Sequence, residues 1–272
     1  MKPQNIITLT TDFGTTDIFV GVMKGVILNL NPEAKIIDIA HDIEPQDIHA
    51  AAFLLSSAYR YFPPGTIHVG VIDPGVGSAR RAIAVETEQY YFVAPDNGLL
   101  SYVLREEKVR CAVNLTNPEY FLPQISHTFH GRDIFAPVAA HLSCGVSLNS
   151  LGERITNIMQ IPISTPDTSE SEIVGQIIYI DRFGNLITNI SQNLFESIKK
   201  GRDFMIFVKD RQIQQICRAY AEFPPGELLG IFSSFGNLEI AINGGNAAET
   251  LGVKRGDSIK VQFHFSSVQI PI

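Results

Sequence analysis

A short run of β-branched and apolar residues, Thr66–Ile72, stops abruptly at Asp73-Pro74-Gly75-Val76-Gly77, and this stop constrains the fold more than any other feature of the chain. Such a run reads as a buried strand. Pro74, Gly75 and Gly77 end it and let the backbone come close to whatever the loop faces. Asp73 then sits at the exit of a buried strand, where open α/β sheets receive their ligands. A tight turn capped by Asp73 is the competing reading. Arg80 and Arg81 follow, without the Lys-Ser/Thr ending of a phosphate-binding P-loop, so a nucleoside triphosphate is not the indicated guest.

The surrounding sequence alternates strand and helix patterns. Ile6–Thr10 predicts a strand, and Phe19, Val20, Met23, Val26 and Ile27 follow as a helix opened by Asp17. Lys35–Ile39 is the next strand. Pro45-Gln46-Asp47 opens a helix running through Tyr59, with Ile48, Ala52, Leu55 and Tyr59 at helical spacing. Strands are predicted at 66–72, 82–87 and 90–94, a short helix at 97–105, and a helix from Ile134 to Leu142. The interleaving predicts an α/β sheet, at least partly parallel. The polar segment Ser164–Glu172 reads as a linker, dividing the chain into an α/β domain, 1–163, and a second domain, 173–272. The second domain is mostly strand: Ile173–Ile180, Leu186–Ile190, Phe204–Val208, Leu228–Ser233, Leu238–Ile242 and Ser258–Phe265. Short helices are predicted near Asn193–Lys199 and Gln214–Glu222. This pattern predicts a small β-barrel or sandwich.

Composition narrows the function. The 272 residues are 45% hydrophobic and 18% charged, enough for a substantial core. A formal net charge of −7 argues against a general nucleic-acid binder and suits a cationic small molecule. Cys111, Cys144 and Cys217 are odd in number and widely spaced, which predicts reduced, buried thiols in a cytoplasmic protein. No apolar run approaches the ~20 residues of a membrane helix, so a soluble protein is expected.

Several polar loops share the character of the Asp73 turn. Thr10–Asp17 follows the first strand; Asp17 is explained by the helix dipole, whereas Asp12 is not needed by the helix and suits ribose hydroxyls. In Phe129-His130-Gly131-Arg132-Asp133, Asp133 reads as a helix cap and Arg132 as solvated, while His130 is placed for hydrogen bonding. His41-Asp42 has the look of a metal-phosphohydrolase dyad, but no further histidines stand at ligand spacing. His68, in a strand, and His49, on a helix, read as structural. Asp181–Asn185 reads as a hairpin turn with Gly184 and Asn185 in left-handed conformation. Phe235, beside Gly236, is an odd exposed aromatic for a scaffold and reads as a lid over a planar base.

Taken together, these loops resemble the S-adenosyl-L-methionine hydroxide adenosyltransferases, relatives of the fluorinase and chlorinase enzymes. The matching motifs are Thr11–Gly14, Asp73–Ser78 with Arg80, Ala94–Gly98, Phe129–Asp133, Asp181–Asn185 and Ser234–Ala241, and they run in family order. The resemblance implies an N-terminal α/β domain, a C-terminal β-barrel, and trimers whose ligand lies between neighbouring subunits. It implies Asp73, Arg80 and His130 as the water-activating set and Asp12 as the ribose ligand. Asp17, Asp181 and Asn185 would address the methionine and ribose, and Phe183 would pack on the ligand. Ser234, Phe235, Glu239, Asn246 and Ala247 would line the adenine end.

The implied reaction is hydrolysis of S-adenosylmethionine to adenosine and methionine, with the sulfonium as leaving group and no metal or other cofactor. The halogenating relatives carry tyrosine in place of Asp73 and serine in place of the His130-Gly131 pair. A carboxylate there repels halide and suits a water whose proton is drawn away. Halide-dependent adenosyl transfer, a non-catalytic S-adenosylmethionine or adenosine binding module, and a metal hydrolase at His41-Asp42 are the competing readings.

Overall fold

The computed structural model describes residues 2–264, and the chain divides into two compact units, Met1–Ile163 and Ser164–Ile272. The first unit is built on a seven-stranded sheet. Its elements are β1 (Ile6–Thr11), α1 (Phe19–Leu30), β2 (Lys35–Ala40), α2 (Ile48–Ala58), β3 (Ile67–Val71), β4 (Ala82–Thr87), β5 (Tyr91–Pro95), α3 (Ser101–Glu106), β6 (Val109–Leu115), α4 (Ala136–Ser143) and β7 (Gly152–Arg154). The strand order is β2-β1-β3-β5-β4-β6-β7. β2, β1, β3 and β5 run parallel, and β4, β6 and β7 join antiparallel.

Strand alternation sorts the two faces of this sheet. Ile7, Leu9, Ile67, Val69 and Val71 share a core with α1 and α4, through Val20, Met23, Ile27 and Val138. Gly70 points the other way, where a Cβ would stand 2.6 Å from Leu99 and 3.9 Å from Leu55 of α2. The chain leaves β1 for β2 on one side and returns from β2 to β3 on the other. The strand order therefore reverses between β1 and β3, and the crevice at their C-terminal ends is the ligand position of a doubly wound sheet.

In the second unit, β8 (Asp167–Thr168), β9 (Glu172–Ile180), β10 (Leu186–Ser191), β11 (Asp203–Val208), β12 (Arg211–Ile213), β13 (Ile216–Cys217), β14 (Leu228–Phe232), β15 (Asn237–Ile242) and β16 (Ser258–His264) form one nine-stranded sheet. The sheet curls into a barrel-like form around Ile177, Leu186, Phe195, Ile206, Leu238, Ile240 and Val261. α5 (Gln192–Lys199) begins at Ser191, whose hydroxyl accepts from Leu194 N. α6 (Ala247–Leu251) begins at Asn246.

Several expectations need correction. The first helix is not opened by Asp17: its N-cap is Ile18, with no side-chain cap. The helix expected from Pro45 starts at Ile48 behind the Asp47 cap, because Gln46 takes a left-handed φ of 68°. Gln214–Glu222 is not a helix but β13 followed by a short 3-10 turn. The segment 164–172 is not a bare linker, since Asp167–Thr168 pairs with Ile173 and Val174 of β9. In the Asp181–Asn185 turn only Gly184 takes positive φ. Phe265, expected in the last strand, lies outside the described residues.

Candidate functional site

Asp12 follows β1 directly and Asp73 stands two residues past the end of β3, on either side of the switch point, and with His130 they line a cleft of about 370 Å³. Asp12 is fixed from one side, its Oδ2 accepting from Gln46 N at 2.7 Å. That contact explains the left-handed Gln46, which turns its amide toward the carboxylate. Phe13, Phe19 and Phe129 form an apolar wall of the cleft with ring centroids 5.2–5.8 Å apart. Asp17 is exposed and is not part of the cleft lining.

Arg80 holds Asp73 and His130 together. Its Nε donates to Asp73 Oδ1 at 2.8 Å and its Nη2 to Asp73 Oδ2, while the same Nη2 lies 2.7 Å from His130 Nδ1. The Asp73 and Arg80 side chains are only 6% and 10% exposed. A guanidinium has no acceptor, so His130 Nδ1 must accept, and the ring proton of the neutral imidazole resides on Nε2. Burial and the Arg80 charge hold the His130 pKa below its ordinary value, against the opposing pull of Asp73, Asp133 and the Ser126 backbone. Electrostatics thus favours the neutral ring, and the Arg80 contact selects its Nε2–H tautomer.

The segment carrying His130 is anchored by Asp133, which is neither a helix cap nor paired to a freely solvated Arg132. Residues Gly131–Phe135 form one π-helical turn ahead of α4, a form often found at functional sites. Within it Asp133 is fully buried and accepts from Ser126 N and Ser126 Oγ, both at 2.8 Å, and from Arg132 Nε at 2.6 Å. Burial pushes its carboxyl up, but these donors outweigh burial and leave the pKa lowered. Ser126 Oγ in turn accepts from Phe129 N. The Asp73 loop packs on the same segment at Gly77 (φ 75°), where a Cβ would meet the His127 carbonyl at 2.3 Å, so only glycine fits.

In the second unit the Asp181–Asn185 turn and the start of α6 pack together. A Cβ on Gly184 would stand 2.0 Å from Asn246 Oδ1, and Ala248 N donates to Gly184 O at 3.0 Å. Asp181 accepts from Phe183 N, Asn185 N and Asn185 Nδ2, each at 2.9 Å, so its carboxylate chiefly shapes the turn. Asn185 and Ala247 are buried, whereas Phe183 is 75% exposed. Glu239, on β15 opposite Ile187, is buried and accepts from Tyr220 Oη at 2.6 Å. Burial raises its pKa, the Tyr220 bond opposes this, and nearby Asp181 adds to the rise. Ser234 and Phe235 stand exposed on the turn before β15, at the opposite end of that strand from Asn246 and Ala247. Tyr220 carries no site signal in the sequence because its stretch has a helical pattern, and Phe19, 40% exposed, and half-buried Phe129 look there like ordinary apolar positions.

The His41-Asp42 pair is not a metal site. His41 is buried, with Nδ1 2.8 Å from Thr11 Oγ1 and Nε2 3.0 Å from Asp38 Oδ1, while Asp42 is exposed. Among the described residues, no group of three or more His, Cys, Asp or Glu is arranged around a common ion position. All three cysteines are free, but only Cys217 is buried and Cys144 is exposed, which corrects the expectation of buried thiols. Among the described residues no helix is long and apolar enough to cross a membrane.

Residues 7–152 match the model of the SAM hydroxide adenosyltransferase N-terminal domain, and residues 175–260 that of the corresponding C-terminal domain. The chain belongs to the SAM hydroxide adenosyltransferase family. An (R)-S-adenosyl-L-methionine hydrolase of Salinispora tropica is 37% identical, over 96% of this chain and 99% of the relative. One from Methanocaldococcus jannaschii is 38% identical, over 94% and 95%. A fluorinase of Nocardia brasiliensis is more distant within the family, at 27% identity over 94% and 96%. The fold is likewise similar to the crystal structure of a conserved protein from Thermotoga maritima, with TM-score 0.88 and 39% identity, covering 94% of this chain and 99% of that one.

Proposed function

We propose that this family member hydrolyses S-adenosyl-L-methionine to adenosine and L-methionine. The observation that carries this reading is the single guanidinium of Arg80 gripping both Asp73 and His130 at the wall of the cleft. The names of the hydrolase relatives support the (R)-sulfonium epimer as substrate. Water attacks C5′ in line with the departing sulfur, the C5′–S bond breaks with its electron pair passing to sulfur, and the water gives up one proton. The sulfonium leaves as a neutral thioether, so sulfur needs no acid and the chemistry calls for no resident metal or other cofactor.

The task falls on the water. Its proton becomes strongly acidic as the C–O bond forms, so a carboxylate within an ion pair is base enough, and Asp73 takes that role. His130 offers an N–H donor to the water oxygen and Arg80 locks both groups in place. Asp12 Oδ1, unused by protein donors among the described residues, receives a ribose hydroxyl. A carboxylate at the nucleophile position disfavours halide, which separates this reading from halogenation. The phenyl wall suits the apolar part of the ligand.

The test is incubation of purified protein with S-adenosylmethionine in heavy-oxygen water, with and without chelator and halide. Adenosine bearing solvent oxygen at C5′, unaffected by chelator, is the expected product. Formation of only 5′-halo-adenosine, or strict metal dependence, would overturn the reading.

We also propose a cytoplasmic homotrimer whose substrate is shared between neighbouring subunits, as the family resemblance implies. Asp12, Asp73 and His130 lie in the first unit, and Asp181, Phe183, Asn185, Ser234, Phe235, Glu239, Asn246 and Ala247 in the second. Mixing the inactive variants His130→Ala and Asn185→Ala under conditions of subunit exchange should restore part of the activity. Demonstrated exchange without recovery would exclude the shared arrangement.

A further inference from the structure

We infer that Asn97 is a positioning residue that sets the aim of Asp73 for the hydrolysis proposed above, on which this inference rests. β3 and β5 pair from Ile67 with Tyr91 to Val69 with Val93, and β3 ends at Val71. The Ile72 carbonyl, directly ahead of Asp73, therefore lies past the strand ladder. Asn97, in the turn after β5, supplies a donor there, its Nδ2 reaching Ile72 O at 2.8 Å. Its Oδ1 accepts from Leu99 N at 3.2 Å. A carbonyl only accepts and a backbone amide only donates, so the orientation of the Asn97 side chain is unambiguous.

The neighbouring residues make this turn rigid. Gly98 has a φ of 97°, and a Cβ there would stand 2.4 Å from Ile161 Cγ2. Asp96 is buried, accepting from Arg81 Nε at 2.8 Å and from Met159 N at 2.7 Å. A braced turn thus delivers one neutral donor to the peptide that carries the water-activating carboxylate. Asp73 is also gripped by Arg80, and Asn97 adds a fixed point at the strand exit from which that loop departs. Asn97 reaches only backbone and is absent from the cleft lining, so it acts through Asp73 rather than on substrate.

The decisive variant is Asn97→Asp, which keeps the shape and the acceptor for Leu99 N but loses the donor to Ile72 O. A displacement of order 1 Å at a reacting group costs about 100-fold in rate. N97D is therefore expected to lower kcat by about 10- to 100-fold, with KM and the adenosine Kd within about threefold of the parent. Nitrogen NMR of the His130 ring supplies a readout independent of turnover. In Asn97→Leu, which removes the donor without adding a charge, the His130 titration should shift from the parent's, because the Asp73–Arg80 pair that faces the ring is held differently. If the parent forms adenosine and N97D matches its kcat, the inference is wrong. An unchanged His130 titration, with kcat, KM and Tm all falling together, also overturns it by revealing a merely structural role. If the parent forms no adenosine, the hydrolase reading fails, and the His130 titration alone decides whether Asn97 positions Asp73.

Discussion

Asp73→Asn is expected to slow adenosine formation by about 10²- to 10⁴-fold while leaving adenosine affinity within about threefold, the range typical of losing a positioned proton acceptor. Asparagine keeps the volume of the side chain but removes the charge that receives the water's proton and that pairs with both Nε and Nη2 of Arg80. His130→Ala should fall in the same range. Because Arg80 joins the two groups, the double variant should be little worse than the poorer single one. Single-turnover rates alongside calorimetric binding of adenosine would check this. Parent-like turnover, or an affinity loss as large as the rate loss, would refute the assignment. The pH profile follows from the same geometry. Protonated His130 cannot accept from Arg80 and would set two cations side by side, so the neutral ring is the active form. With its pKa held below the ordinary ~6.5, turnover should stay level through neutral pH and fall only on the acid side of that value.

How much of this was legible follows from where each signal is stored. The exit of β3 and the polar loops that carry Asp73, Arg80 and His130 stand out because strand, proline-glycine stop and charged loop are local features, whereas grouping the three as one set is what the family resemblance implies. That one guanidinium joins two loops fifty residues apart is tertiary information, and no spacing in the chain encodes it. The π-helical turn at Gly131–Phe135 was equally hidden, since it depends on Asp133 being buried against Ser126. Asp133 reads as a cap because an acidic residue ahead of an apolar run has the same local appearance in either case. Gln214–Glu222 is rich in good helix formers, yet Ile216 and Cys217 pair with Gly230 and Ile231 of β14, and that pairing overrides propensity. Asp17 shows the opposite limit. It has the position of a cap, but the helix starts at Phe19 behind Ile18, and the sequence carries no sign of that shift.

The second large effect concerns stability in acid, and it centres on His68. This histidine is the second residue of β3, fully buried, with ring centroids of Tyr59, Phe62, Tyr90 and Phe92 at 5.3–6.1 Å. Its Nδ1 pairs with Thr8 Oγ1 at 2.8 Å, and its Nε2 has no partner among the described residues. Charging the ring would bury a cation among aromatic edges and add an N–H with nothing to receive it. Burial accordingly lowers its pKa to about 3, against an ordinary value of ~6.5. Between those two values the unfolded chain binds a proton that the folded chain refuses, so stability rises with pH across the window and is lost as pH falls through it. One such group contributes a slope of about 1.4 kcal/mol per pH unit, or about 3 kcal/mol between neutrality and pH 4. His130, His141, Asp38 and Asp133, all with lowered pKa values, add acid sensitivity of the same sign, so the His68 share must be isolated by difference. His68→Phe fills the same aromatic nest without a titrating group. It forfeits the Thr8 bond equally at every pH, which shifts the whole stability curve without tilting it. Denaturant unfolding from pH 7 to pH 4 should therefore show the H68F curve flatter than the parent's by about one proton's slope. Parallel curves would mean that His68 is protonated in the folded protein, and that the aromatic nest around it is open to water.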